Sequence, residues 1–414
     1  MDMMRTTRSL FLAGGLLAAA ALGPSAGLAS ASPAVPRTPA AAIVHTDLTG
    51  VYCTSRSSCW AVGTKKALLR TANLMLYWTG KTWGELEVPE PGGTGAQSTN
   101  QLAAVRCATA RDCWAVGDYR SRGALLNQML HWNGHGWFAT RTPQPGGTAS
   151  EAVNILADVT CITARNCWAA GEFKQPGHAL SDEILDWNGT AWSRLRVPSP
   201  GGSTASSASS LTSVRCPSAT RCLAVGSDAT AFGKTVNQAL TWAGRSWVRQ
   251  QIPTPSSKLT VHNDQLLSLG CGSRTSCFAV GSSGYAGGRS LDQAVHWNGR
   301  SWSRSFTPQP AGTGPADVSL LNFVTCTSAR SCWAVGTYGQ AMGDQRNQAL
   351  HWNGQHWVLV PTPDPAHAAT DRNTLNGARC TSASDCWAVG SQQHGNLEKY
   401  EILHWNGKSW SVWT

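Results

Sequence analysis

Charge is scarce in this chain. Only 14% of its 414 residues are Asp, Glu, Lys or Arg, against about 25% in an ordinary soluble domain. Ion pairs therefore cannot carry the fold, and stability has to come from sheet packing, buried aromatics and covalent links. Beyond one apolar run from Leu10 to Leu22, no stretch approaches the roughly 20 apolar residues of a membrane span. No cysteine follows that run where a lipid anchor would need one. Catalytic signatures are missing as well: there is no G-x-S-x-G elbow, no H-E-x-x-H, no phosphate loop and no odd cysteine for nucleophilic work. Arginine-rich runs are absent too, and no nucleic-acid partner is expected.

What is present begins with an export signal. Arg5 and Arg8 precede the apolar run, and Ala29-Ser30-Ala31 supplies a small-x-small cleavage site. The expected organisation is a signal peptide over residues 1–31, a linker over 32–45 and a repeat domain over 46–414. The product is expected to be secreted, extracellular and monomeric. Export gives the fourteen cysteines their meaning, because paired thiols persist in an oxidising compartment. They fall as seven copies of C-x5-C, and the expected pairs are Cys53 with Cys59, Cys107 with Cys113, Cys161 with Cys167, Cys216 with Cys222, Cys271 with Cys277, Cys326 with Cys332, and Cys380 with Cys386. A zinc site is disfavoured, since C-x5-C lacks the tight C-x2-C bite and no histidine recurs beside it. No metal or cofactor is expected.

The cysteine pairs recur every 54 or 55 residues. A strict period of this length, built of short strand-like segments, implies an all-β, seven-bladed β-propeller with four antiparallel strands and one disulfide per blade. Five residues before each first cysteine stands a leucine: Leu48, Leu102, Leu156, Leu211, Leu266, Leu321 and Leu375. Small residues around it suit an innermost strand crowded about the axis. The second cysteine opens an apolar second strand such as Cys113-Trp114-Ala115-Val116-Gly117. A third strand, typified by Gln128-Met129-Leu130-His131-Trp132, runs into Asn133-Gly134, a strong hairpin signal, and a fourth strand opens at Trp137. Pro-x-Pro segments such as Pro143-Gln144-Pro145 then close the outer edge to further pairing. The twenty tryptophans sit at regular strand positions, which argues for burial between blades. His131, His296, His351 and His404 lie in four different blades, too far apart to share a metal.

The repeated Trp-Asn-Gly-x-x-Trp turn, placed between third and fourth strands, resembles the Asp-box turn of sialidase-like propellers. The repeat region as a whole is similar to secreted bacterial seven-bladed propellers of the kelch-like or Asp-box-like kind. The resemblance implies the fold only. The Ser-x-Asp of the Asp-box, the arginine triad and the Tyr-Glu pair of sialidases have no counterparts in register, so sialidase activity is not implied.

Loops of two kinds follow from this blade. Turns between first and second strands, and between third and fourth, are short and alike; the connections on the opposite face are longer and differ from blade to blade. Divergent loops on a rigid scaffold are where binding usually resides. Ligand-binding candidates there are the short polar residues seven positions before each first cysteine, Thr46, Asn100, Asn154, Ser209, Asp264, Ser319 and Asn373, read as a collar at the channel mouth. The loop aromatics Tyr119, Phe173, Tyr285 and Tyr338 join them, with Phe232 and Tyr400 of the same kind. Such residues equally cap strands or pack loops down. The short-turn face carries Arg56, Arg111, Arg165, Arg221, Arg274 and Arg330, a basic ring suited to an anionic polymer or to solubility. A balance of 33 basic to 23 acidic residues, formally +10, points the same way.

Catalysis has thin support. Glycoside hydrolysis needs two carboxyl groups at a defined separation, and Asp158 with Asp264 or Asp371 is the conceivable pair. Asp158 lies within an inner strand and is expected to face channel water. The function expected from the sequence is non-catalytic binding of a glycan or anionic cell-wall polymer through the long-loop face. The rivals are an extracellular carbohydrate-active enzyme, hydrolase or lyase, and a protein-interaction scaffold.

Overall fold

The computed structural model describes residues 44–198, 208–229, 234–253, 263–285, 288–341, 343–366, 368 and 370–413. The expected leader, most of the linker and Phe232 lie outside the described residues. Each repeat folds into a four-stranded antiparallel unit in chain order, as in the first blade: Val44–Ser55, Ser58–Ala67, Arg70–Trp78 and Trp83–Glu85; single parallel pairs join the fourth to seventh units to one another. The inner strands of the other six blades are Asn100–Thr109, Val153–Thr163, Ala208–Ser218, Asn263–Ser273, Asp317–Ser328 and Arg372–Ser382. Outer strands have only three or four residues. In the first, second, fourth and sixth blades the proline segment that follows docks back on the third strand, as where Asn127 Nδ2 donates to the Pro143 carbonyl at 3.0 Å.

All seven expected disulfides form, one per blade, and no cysteine is free. Their Cα atoms lie 3.8–4.0 Å apart, closer than the roughly 4.5 Å of an ordinary non-hydrogen-bonded pair. In six blades the bonded cysteines stand directly opposite each other at the last regular pair before a register shift, and in the fourth the regular ladder already ends at Arg215 and Leu223. A second register shift follows each inner-strand leucine, and it explains the glycine opposite. A Cβ on Gly63, Gly117 or any equivalent glycine would lie 1.8–2.0 Å from the carbonyl oxygen of the residue before that leucine. Only glycine lets the inner strand bend there. At the hairpin, Gly134 takes φ +91° and Asn133 Oδ1 accepts from the N–H groups of His135 and Gly136, at 3.0 and 3.1 Å.

Blades grip their neighbours in three layers. In the outer layer, the second-strand aromatic of one blade inserts between the two tryptophans of the next blade's Trp-Asn-Gly-x-x-Trp turn. Trp114 sits 4.9 and 5.1 Å from Trp187 and Trp192, and Trp333 sits 4.8 and 5.2 Å from Trp405 and Trp410. Phe278 replaces tryptophan in the fifth blade and Leu223 in the fourth. Trp387 of the seventh blade inserts against Trp78 and Trp83 of the first. In the inner layer, side chains four positions before the first cysteine reach the next blade's leucine carbonyl: Thr49 to Leu102 at 2.8 Å, Thr212 to Leu266 at 2.7 Å, Asn322 to Leu375 at 3.0 Å, and Asn376 of the seventh blade to Leu48 of the first at 3.1 Å.

The middle layer is polar and buried. Two adjacent third-strand residues face opposite ways, and the first of one blade pairs with the second of the next. Asn73 with Gln128, and Asn237 with Gln293, form reciprocal amide pairs at 2.8–3.1 Å. At four other junctions one partner is an acid: Asn127 with Glu183, Asp182 with Gln238, Asp292 with Gln348, and Asn347 with Glu401. In each of these the second carboxyl oxygen and the amide oxygen are both buried without a partner. A proton on the acid removes both vacancies at once, because the hydroxyl donates to that amide oxygen and completes the same two-bond ring as an amide pair. Burial in the sheet holds all four carboxyls well above the usual range, with the facing amide pulling down only in part.

The sign of the linkage follows. A carboxyl whose folded value is raised keeps its proton after the unfolded chain has lost it, so its contribution is full in acid and fades as pH rises through the folded value. Asp47, at the junction of first and seventh blades, behaves alike: burial, then Glu398, pushes it up to about 7. Melting temperature should therefore fall from weakly acidic to alkaline pH. Glu183→Gln or Asp292→Asn, which keep the ring without a titrating proton, should raise it at pH 9 and leave it nearly unchanged at pH 4. Equal effects of these substitutions at both pH values, read by calorimetry, would contradict the protonated-acid ring.

Candidate functional site

The expected collar is at the long-loop end of the inner strands, but it is inside the protein. Asn100, Asn154, Ser209, Asp264, Ser319 and Asn373 are buried, at 0–2% exposure; only Thr46 is half-buried. The asparagine amides are consumed by the preceding blade. Asn154 Oδ1 accepts from the Gly146 N–H at 2.6 Å, and its Nδ2 donates to the carbonyls of Leu125 and Gly147 at 3.1 and 3.0 Å. Asn100 does the same at Gly92 and Gly93, and Asn373 at Ala366 and Gln345. Ser209 bonds Asp228, and Thr46 Oγ1 accepts from the Tyr400 N–H at 3.0 Å. The three asparagines are hubs that fasten the preceding long loop to their inner strand. Their exposure as a collar is corrected by the reason that makes polar residues favourable here: the loop backbone needs donors and acceptors where it turns under the surface.

The loop aromatics are braced rather than presented. Tyr119 packs on Ala124, Leu126 and Ala152. Phe173 is 9% exposed beneath the Arg194 guanidinium at 4.2 Å, and Tyr285 lies beneath Arg289 at 4.3 Å. Tyr338 is half-buried against Ser319 across the ladder. The four strand histidines stack on second-strand aromatics as packing elements, His131 on Trp114 at 4.3 Å.

The opposite end of the channel is different. A cavity of about 360 Å³ is lined by residues from the position before each first cysteine to two positions beyond it. That register lies at the short-turn end of the inner strands. The residues immediately before the cysteines are Tyr52, Arg106, Thr160, Arg215, Gly270, Thr325 and Arg379, one from each blade. Three guanidinium groups thus share one cavity whose lining contains no Asp or Glu. Phe323 lies two residues ahead of Thr325. Arg106 is 5.3 Å from the Tyr52 ring and 5.5 Å from the Phe323 ring, Arg215 is 5.9 Å from Phe323, and Arg379 is 4.3 Å from Tyr52. Arginines from the second, fourth and seventh blades therefore converge on two aromatic rings from the first and sixth.

Asp158 stands behind this group. It is 4% exposed and does not face channel water as expected; it accepts from Ser213 Oγ at 2.7 Å, from the Val214 N–H at 3.1 Å and from Arg215. Ser213 and Ser268 continue the pattern, accepting from the N–H groups of Leu269 and Val324 at 3.1 Å. The carboxylate is a link in the inter-blade stitching. It lies four residues further along the inner strand than Asp264 and six further than Asp371, so about 13 and 20 Å separate these levels along the axis at ~3.3 Å per residue. Neither pairing fits the ~5–9.5 Å of a glycosidase. Among the described residues no cluster of His, Cys, Asp and Glu is arranged to hold a metal ion.

The six turn arginines Arg56, Arg111, Arg165, Arg221, Arg274 and Arg330 are exposed on this same face. Arg111, Arg165 and Arg330 lay their stems across the turn glycines Gly134, Gly189 and Gly354. Arg56 donates to Ser382 Oγ at 3.1 Å, and Arg221 to the Gly299 carbonyl at 2.7 Å, each on an adjacent blade. The ring is structural in its stems and basic at its surface.

This architecture defines the chain as a β-propeller of four-stranded, disulfide-bearing blades. No family model matches it, and no curated protein sequence matches it. Solved structures do resemble it. The GH74 xyloglucanase from Xanthomonas campestris aligns over 89% of this chain with 14% identity and a TM-score of 0.50, and the chain spans about half of that enzyme's length, 55%. A polysaccharide lyase of family PL25, an ulvan lyase, aligns over 91% of this chain and 97% of its own, with 9% identity and a TM-score of 0.56. At these identities the likeness is one of fold. Seven disulfides mark an extracellular protein, and no helix among the described residues is long and apolar enough to cross a membrane.

Asn154→Ala should report the structural duty of the buried hubs. It strands the Gly146 N–H and two carbonyls in a buried loop, each stranded group costing about 1–3 kcal/mol, so the melting temperature should drop by several degrees. A variant that melts with the parent would return Asn154 to the candidates for ligand contact.

Proposed function

We propose that the protein is a secreted, monomeric, non-catalytic module that binds a glycan or cell-wall polymer at the short-turn end of its axial channel, after removal of a leader over residues 1–31. The observation that carries this reading is the cavity itself: three guanidinium groups and the Tyr52 ring line it, and Phe323 lies behind them against Arg106 and Arg215. Aromatic faces with polar donors suit sugar rings, whose hydroxyls need acceptor and donor groups and whose C–H faces need an apolar surface. A carboxylate pair, the requirement of acid–base glycoside cleavage, does not line it, because Asp158 is engaged behind Arg215. The substrate class is supported further by the xyloglucanase and the polysaccharide lyase that share the fold. Their chemistry is not carried over with it.

A glycan array probed with the mature protein, followed by a reducing-end and unsaturated-product screen on every positive polysaccharide, tests the proposal. Binding without turnover is expected, and Tyr52→Ala, which removes a lining ring, and Phe323→Ala, which frees the Arg106 and Arg215 guanidinium groups, should each weaken it about tenfold; both rings also pack on the blade core, so some loss of melting temperature accompanies the change. Turnover of any polysaccharide would make the protein an enzyme. Binding untouched by both substitutions would move the site to another surface.

A further inference from the structure

Three cations in one cavity pose an electrostatic problem that the protein solves only in part. Arg215 is neutralised by Asp158, with side-chain exposures of 12% and 5%. Arg106 is 8% exposed, and its guanidinium donates to the neutral Val105 carbonyl at 3.2 Å. Arg379 lies over the Tyr52 ring, with its Nε buried and without a hydrogen-bond partner; Arg215 Nη2 is in the same state. Three guanidinium groups against one carboxylate leave two positive charges uncompensated in a part of the molecule where burying charge is costly. Burial first, and then the Arg215 cation, push the Arg106 guanidinium down to about 9, with Asp158 acting the other way. A guanidinium keeps its proton in a protein, so this repulsion is relieved by bringing in a negative charge.

We infer that the axial cavity is an oxyanion site, in which Arg106, Arg215 and Arg379 take a sulfate or carboxylate substituent of an acidic polysaccharide. This rests on the reading that the axial cavity is the glycan site, and it narrows the ligand from glycans at large to anionic ones. Geometry supports an oxyanion over a halide or a neutral hydroxyl. Guanidinium groups present paired, planar donors that match the oxygens of carboxylate and sulfate two at a time. Here they arrive from three blades, with unsatisfied Nη2 and Nε atoms still to be bonded. Tyr52 and Phe323 hold the guanidinium planes by their ring faces, so donor directions are fixed before the ligand arrives. The cavity of about 360 Å³ admits one sugar residue with its substituent, not a long segment of chain. The six exposed turn arginines outside it supply a wider positive field that steers a polyanion to the mouth.

The test uses inorganic sulfate as probe at constant ionic strength set with sodium chloride, read by titration calorimetry and melting temperature, together with oligosaccharides that are neutral, uronate-bearing and sulfate-ester-bearing. Sulfate should raise the melting temperature in a saturable way that chloride does not. Arg106→Gln and Arg379→Gln, both of which leave the Asp158–Arg215 pair in place, should weaken sulfate at least tenfold, whereas Arg111→Gln on the exposed ring should not. If Arg106→Gln fails to fold, Arg379→Gln at the half-buried position decides alone. The better of the uronate and sulfate-ester arms identifies the substituent, and either should exceed the neutral arm by tenfold or more. Sulfate no better than chloride, or sulfate binding equal in parent and Arg379→Gln, overturns the oxyanion site. Neutral glycans bound as tightly as acidic ones would sink it too, while leaving the glycan module intact. Sulfate bound through the arginines with no glycan bound at all would instead remove the glycan module and keep the oxyanion site.

Discussion

The contact between one blade and the next is what the remainder of the molecule depends on, because a blade this small cannot bury its own faces. Its apolar stripe is covered only when the second-strand aromatic enters the neighbouring pair of tryptophans. Its polar stripe is satisfied only when a third-strand amide meets its partner across the junction. This accounts for the tryptophan count. Two per turn and one on most second strands are consumed by seven equivalent junctions, including that of Trp387 with the first blade. The disulfides do a smaller job inside each blade. A seven-residue loop contributes roughly 2 kcal/mol in the chain-entropy model, and it acts where the inner hairpin is about to lose register.

The same constraint sorts the surface into places where function can and cannot reside. Residues that stitch blades are fixed by their partners, and this takes the long-loop asparagines and Asp158 out of play, while the strand histidines are held by stacking inside their own blades. The position immediately before each first cysteine lines the cavity instead, and only Arg215 among these residues is tied to a neighbouring blade's carboxylate, that of Asp158. At that cavity the repeats diverge among tyrosine, threonine, glycine and three arginines. Divergence in an otherwise repeated inner strand is the mark of a site.

Most of the fold was legible because it repeats. Seven leucines, seven cysteine pairs and the Asn-Gly turn each report a backbone requirement, and a requirement met seven times survives the noise of any single blade. The site was less legible for the same reason reversed. Asn100 and Arg106 are both polar residues on one inner strand, six positions apart, and alternation alone does not say which end of the channel is filled with loop and which is open. The long loops fold inward over the collar and consume it, an outcome set by Gly-Gly turns meeting asparagine amides across blades. The arginines carried a usable signal. In a chain with so little charge, three arginines at one register position of strands otherwise built from small residues already called for a partner. The third-strand pairs were hidden more deeply, since Asn-Gln, Asp-Glu and Asp-Gln read as unrelated dipeptides until the junction joins them.

Two kinds of buried charge are handled in opposite ways, and the contrast bears on function. The acids between blades become neutral by holding a proton, which costs little because a carboxyl can be an acid at any pH below its raised value. The arginines in the channel have no such route. Five acids, Asp47, Asp182, Glu183, Asp292 and Glu401, are held above the usual carboxylate range by burial and so hold their protons more readily than free carboxyls. At the short-turn end of the axis, exposed turn arginines surround a cavity whose own cations outnumber their single carboxylate. A scaffold stabilised by neutral pairs can tolerate this concentration, since repulsion at the short-turn end does not act on the grips that hold the blades together.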